Sequence, residues 1–167
     1  MHTVLILGAG KIGSLISGLL AESGDYDVHV ADVNASVARS VVEAHGLDNL
    51  HAHGFDAGDK QALATHLRAH PVEAVISSLP YYCNVGVAEA ARAAGAHYFD
   101  LTEDVAVTRA VRRLADGADT AFVPQCGLAP GFISIAANAM IAHFDELRSV
   151  QMRGGALPQQ RKNVLKY

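Results

Sequence analysis

Three glycines, Gly8, Gly10 and Gly13, follow the apolar run Val4 to Leu7 in the stretch VLILGAGKIG. At this spacing the first glycine turns the chain sharply out of a strand and the second lets the backbone approach a pyrophosphate. The third lets the next helix pack close to the strand. Lys11, Ile12 and Gly13 open that helix, where unpaired N–H groups and the helix dipole favour a phosphate. About 20 residues further on, Asp32 ends a second apolar stretch, Val28 to Ala31, where an acid accepts hydrogen bonds from the ribose hydroxyls of a dinucleotide. Strand, glycines, helix, strand and acid in this order predict dinucleotide binding. No arginine stands among residues 33–38 to meet a ribose 2′-phosphate, so NAD is expected and NADP is disfavoured.

Later segments supply further candidates. Asp56, after a weak strand from Leu50 to Phe55, suits either an adenine contact or the cap of the following helix. Ser77, Ser78, Leu79 and Pro80 end a strand that begins at Ala74, and the C-terminal ends of parallel strands are where ligands lie. These four residues are expected beneath the ribose or nicotinamide. Asp100, Thr102, Glu103 and Asp104 cluster after a strand from His97 to Leu101. Asp100 and Glu103 are candidates for a general base, while Thr102 and Asp104 equally suit helix capping. Cys126 lacks a histidine near it in sequence, so packing is favoured over a nucleophile's role. His45, His51, His53, His66 and His70 form no recognised ligand spacing with cysteine or carboxylate, and no metal is expected.

The elements that must hold these residues alternate between short apolar strands and amphipathic helices. That alternation predicts a doubly wound α/β (Rossmann) domain, a mostly parallel sheet with helices on both faces. Ile12, Leu15, Ile16, Leu19 and Leu20 recur at helical spacing before Gly24. Asn34 caps a helix to about His45 with Gly46 as its stop, and Asn84 to Ala94 forms another stopped by Gly95. A sixth strand, Ala121 to Pro124, precedes the loop QCGLAPG, and Gly131 opens an apolar helix to Phe144. Leu147 to Met152 reads as one more strand, with Gly154, Gly155 and Pro158 beyond it. The last stretch, Gln159 to Tyr167, supplies no closing element. The boundaries expected are a nucleotide-binding domain over 1–145 and the start of a second, α+β domain over 146–167.

Composition narrows the function classes. With half its residues hydrophobic and 18% charged, the 167-residue chain suits a soluble domain with a sizeable core. A net charge of −4 gives no electrostatic case for nucleic acid or an anionic membrane as partner. Two cysteines and no charged n-region before an apolar h-region point to a cytoplasmic protein. The tyrosine and lysine four residues apart that a short-chain reductase needs are missing around Tyr81 and Tyr82, which Val85 and Gly86 follow at that spacing.

VLILGAGKIG, the ADVN at Asp32, VISSLPYY, PQCGLAPGF and RGGALP occur in the order seen in the saccharopine dehydrogenase-like family, which the chain resembles over nearly its whole length. The resemblance implies an N-terminal Rossmann domain followed by a domain that holds substrate and supports a homodimer. It is closer to lysine 6-dehydrogenases than to the glutamate-forming saccharopine reductases. The reductases carry aspartate where this chain has Ala129, and cysteine where it has Gly154. The activity so implied is NAD-dependent oxidation at a carbon–nitrogen bond of a lysine-like amino acid. A nucleotide-sensing module without chemistry is the alternative.

Overall fold

The computed structural model describes residues 1–153 and Gly155. Six strands, β1 (His2–Leu7), β2 (Tyr26–Asp32), β3 (Leu50–Gly54), β4 (Ala74–Ser77), β5 (His97–Asp100) and β6 (Phe122–Val123), form one parallel sheet in the order 3-2-1-4-5-6. Helices α1 (Lys11–Glu22), α2 (Ala35–His45), α3 (Lys60–Ala69), α4 (Asn84–Ala94), α5 (Val105–Ala115) and α6 (Phe132–Ile141) connect or follow them. This is the doubly wound fold expected from the alternation. The order reverses between β1 and β4, so the crevice of the sheet opens over the C-terminal ends of those two strands.

The central strand β1 is apolar without alternation because both its faces are covered. Leu5 and Leu7 enter one core cluster with Leu63, Leu67, Val75, Val87 and Tyr98, while Val4 and Ile6 enter the other with Val28, Val30, Ala38 and Val41. Helix ends follow local chemistry. The Asn34 side chain accepts the Ser36 amide, and Gly46 and Gly95 close α2 and α4 in left-handed conformation.

Four sequence expectations are corrected. The α1 stripe is only partly its buried face: Ile16 and Leu20 pack against the core, Ile12, Leu15 and Leu19 are exposed, and the fully buried residues are Gly13, Ser17, Gly18 and Ala21. Small residues bring the helix close to the sheet, with Ile16 and Leu20 packed at its flanks. Asp59, not Asp56, caps α3, accepting the Gln61 and Ala62 amides. Helix α6 stops at Ile141 rather than Phe144. Leu147 to Met152 forms no strand; Leu147, Val150 and Met152 are about half exposed and meet no partner strand among the described residues. Gly154, Pro158 and the stretch 159–167 lie outside the described residues. No helix among the described residues is long and apolar enough to cross a membrane.

Candidate nucleotide-binding site

The glycine loop joins β1 to α1 at the crevice. Gly8 has φ +93°, a conformation that side chains disfavour, and its amide donates to the Ala31 carbonyl at 2.8 Å. A Cβ on Gly13 would collide with the Gly8 carbonyl oxygen, so α1 packs against the loop with no room to spare. Gly10 is the opposite case, because a Cβ there would meet nothing within 4 Å. It is the N-cap of α1 and no side chain caps the helix; Lys11 is the first residue, and the first turn has no acid. Unpaired amides beside open space at the positive end of a helix form a cradle that fits a pyrophosphate. Lys11 and Ile12 are exposed beside it.

Asp32 and Ser78 fix this loop from its two neighbours. The Asp32 carboxylate accepts the Ala9 amide at 2.9 Å with one oxygen and the Asn34 amide at 2.9 Å with the other. Each oxygen keeps a further lone pair for an incoming hydroxyl. Across the crevice, the Ser78 hydroxyl lies 3.0 Å from the carbonyls of Leu7 and Gly8, which ties the end of β4 to the turn. Ser77 points the other way. It is buried and donates to the Asn84 side chain at 2.7 Å, so its hydroxyl serves the α4 junction rather than the crevice. Asp56 is exposed and closes a local turn by accepting the Gly58 amide at 2.8 Å.

A cleft of about 470 Å³ lies over the ends of β4 and β5, lined by Ser78, Leu79, Tyr81, Leu101, Thr102, Glu103 and Asp104. Pro80, also exposed, begins the short turn at Tyr81–Cys83 beside it. Glu103 is exposed and also lines a neighbouring cavity with Gly127, Leu128, Ala129 and Pro130, so it stands between β5 and the QCGLAPG loop. Asp104 caps α5 by accepting the Val107 amide at 2.8 Å.

Asp100 does not face the cleft. It is fully buried, 2.7 Å from the Tyr98 hydroxyl, and accepts the amides of Thr102 at 2.9 Å and Gln125 at 3.2 Å. Burial and the Asp100 carboxyl push the Tyr98 phenol far above its usual range, which keeps it an O–H donor. Asp100 therefore anchors the loop that begins at Gln125, a non-glycine residue at φ +66°. Burial and the same carboxyl raise the Cys126 thiol, so it is not poised as a thiolate. Asp100→Ala would orphan the amides of Thr102 and Gln125, each costing about 1–3 kcal/mol, while the Tyr98 hydroxyl keeps the Asn84 carbonyl at 3.2 Å. Urea unfolding is expected to show a loss of about 2–5 kcal/mol in total, and a loss below about 1 kcal/mol would refute this anchoring role.

Residues 4–123 match the family model described as the saccharopine dehydrogenase NADP binding domain. The chain belongs to the saccharopine dehydrogenase family. It represents the NAD(P)-binding domain of these dehydrogenases. Solved structures with the same fold include the glutamate-forming saccharopine dehydrogenase of Saccharomyces cerevisiae, at TM-score 0.73 and 24% identity over 86% of this chain. A putative myo-inositol dehydrogenase from Sinorhizobium meliloti matches at TM-score 0.59 and 21% identity over 86% of this chain. The WlbA dehydrogenase of Chromobacterium violaceum, solved with NADH and UDP-GlcNAcA, matches at TM-score 0.58 and 19% identity over 74% of this chain. The matches span only 31%, 41% and 34% of those three chains, respectively.

Histidines whose spacing shows no ligand pattern nevertheless form one group in the fold of this family member. His29, His53, His66 and His70 come together on the face of the sheet that α3 covers. The signals were present but dispersed. His51 and His53 alternate on one strand, His29 pairs with His51 in register, and His70, the residue that ends α3, follows His66 by four.

Proposed function

We propose that this domain holds NAD across the crevice and serves an oxidoreductase acting on a carbon–nitrogen bond of a lysine-like amino acid. The observation that carries the reading is the open space at Gly10 beside the uncapped start of α1, with Asp32 at the end of the neighbouring strand. When bound, a nicotinamide dinucleotide supplies the hydride acceptor. Gly10 and the first amides of α1 receive its pyrophosphate, Asp32 its adenosine ribose, and Ser78, Leu79 and Pro80 flank its nicotinamide half. A substrate ammonium must lose a proton before its carbon can surrender a hydride. We assign that proton to Glu103, the exposed carboxylate of the cleft. The resulting imine takes up water and yields an aldehyde and ammonia. Asp100 positions the loop opposite Glu103 from below and touches neither reactant. Support for a lysine-like substrate comes from Ala129, where the saccharopine reductases that the chain resembles carry an acid.

The preference for NAD follows from charge. A 2′-phosphate would face the Asp32 carboxylate, with no arginine among residues 33–38 to receive it. Titration with both nucleotides is expected to show NAD bound at least about tenfold more tightly, a difference of about 1.4 kcal/mol. Asp32→Ala is expected to weaken NAD by about 10- to 100-fold, the loss of a charge-assisted hydrogen bond, and to narrow the gap to NADP. Equal or tighter NADP binding by the parent chain would overturn the preference. For the substrate, the complete polypeptide encoded by the gene is assayed for NADH formation with lysine and with saccharopine. NADH with lysine is expected; NADH with saccharopine alone would contradict the assignment.

A further inference from the structure

We propose that His53, His66 and His70 form a binding site for a zinc-type divalent transition-metal ion that clips edge strand β3 to the C-terminal end of α3. One ligand nitrogen from each of the three rings can be chosen so that all lie within 4.8 Å of one another. Nitrogen donors on one tetrahedral zinc, at about 2.0–2.1 Å from the metal, are about 3.4 Å apart. Side-chain rotations that close the group by up to about 1.4 Å would therefore meet that geometry. His66 is on the last turn of α3 and His70 caps it, its amide donating to the His66 carbonyl and its ring 4.8 Å from that of His66, while His53 comes from the strand beneath. Nε2 of His66 is buried with no hydrogen-bond partner among the described residues. A buried imidazole nitrogen seldom goes unpaired, and a bound cation would satisfy it.

The surroundings suit a metal rather than a catalytic acid or base. The His29 and His53 rings stack at 5.0 Å, and Nδ1 of His29 lies 2.7 Å from Nε2 of His53. Asp27 is 3.5 Å from Nε2 of His29 and 2.8 Å from Nε2 of His51. A carboxylate behind a histidine, itself behind a candidate ligand, is the kind of outer support that fixes ring orientation at metal sites. An all-imidazole donor set selects zinc, nickel or copper and not magnesium or calcium. His70 is exposed, which gives an ion a path from solvent, and three protein ligands leave a fourth position for water.

The test uses the untagged 167-residue chain with zinc chloride, followed by calorimetry and thermal unfolding. Binding of one zinc per chain is expected, with Tm raised by about 5–10 °C at a zinc concentration about 100-fold above Kd. Cobalt(II) in place of zinc is expected to give the intense visible absorption of a tetrahedral site. His53→Gln and His66→Gln are each expected to weaken zinc by at least 100-fold, the upper range for lost ligand support. His143→Gln, on a distant exposed residue, is expected to bind as the parent does. Because the partly buried rings also pack, His70→Ala is the variant that separates binding from folding. It is expected to retain the parent's circular dichroism and lose the zinc-dependent rise in Tm. Absence of any zinc effect on the parent, an equal effect from magnesium, or zinc binding that survives His70→Ala together with His53→Gln would overturn the site.

Discussion

Replacing Gly10 by valine is expected to abolish measurable NAD binding, a loss of at least about 100-fold, while leaving Tm nearly unchanged. A 100-fold loss corresponds to about 2.7 kcal/mol, which the displacement of a pyrophosphate from its amides readily exceeds. The fold is spared because a Cβ at Gly10 meets nothing within 4 Å. The same substitution at Gly13 makes the contrast, since its Cβ would overlap the Gly8 carbonyl and lie 2.8 Å from the Ser78 hydroxyl. Backbone cannot yield there without separating α1 from β1. Gly13→Val is expected to destabilise the chain by about 3 kcal/mol or more, at the upper end of overpacking costs, and to express poorly. Thermal unfolding alongside nucleotide titration separates the two glycines. A Gly10→Val chain that binds NAD normally would mean that the glycines serve only the turn.

The second large effect concerns turnover. The 167-residue chain is expected to bind NAD and yet to produce no detectable NADH when lysine is added. Around Glu103 the cleft has Leu79, Tyr81 and Leu101 along one side, and both Tyr81 and Tyr82 are more than half exposed. A site open to water weakens each electrostatic interaction that a transition state would use, and nothing in this wall alone holds an amine carbon over a nicotinamide. Loss of positioning raises a barrier by about 7–11 kcal/mol, which removes activity from the range of an absorbance assay. Robust NADH formation by this chain would show that the substrate site is built wholly within these 167 residues.

How much of this was legible in the sequence depended on whether a residue's role is local. The strand-glycine-helix-strand-acid order, the Asn34 cap and the stops at Gly46 and Gly95 rest on chemistry within a few residues, and the fold follows from them. Helix α1 was legible in extent but not in facing. Apolar periodicity points to Ile12, Leu15, Ile16, Leu19 and Leu20, of which only Ile16 and Leu20 pack against the core, whereas close approach to a sheet selects Gly13, Ser17, Gly18 and Ala21. Asp100 looked like Glu103 in sequence; only burial beneath the QCGLAPG loop separates the anchor from the exposed carboxylate. The strand expected from Leu147 depended on a partner that periodicity cannot supply. The histidines came together through pairing of β2 with β3 and through α3 packing over both, contacts that span 41 residue positions from His29 to His70 and leave no local spacing to read.

The central claim, that the glycine loop and Asp32 together receive a dinucleotide, is tested most directly by calorimetric titration of NAD into this chain. Saturable heat with one nucleotide bound per chain, lost in Gly10→Val and reduced about 10- to 100-fold in Asp32→Ala, is the result predicted. No heat at millimolar NAD, or binding that neither substitution alters, would contradict it.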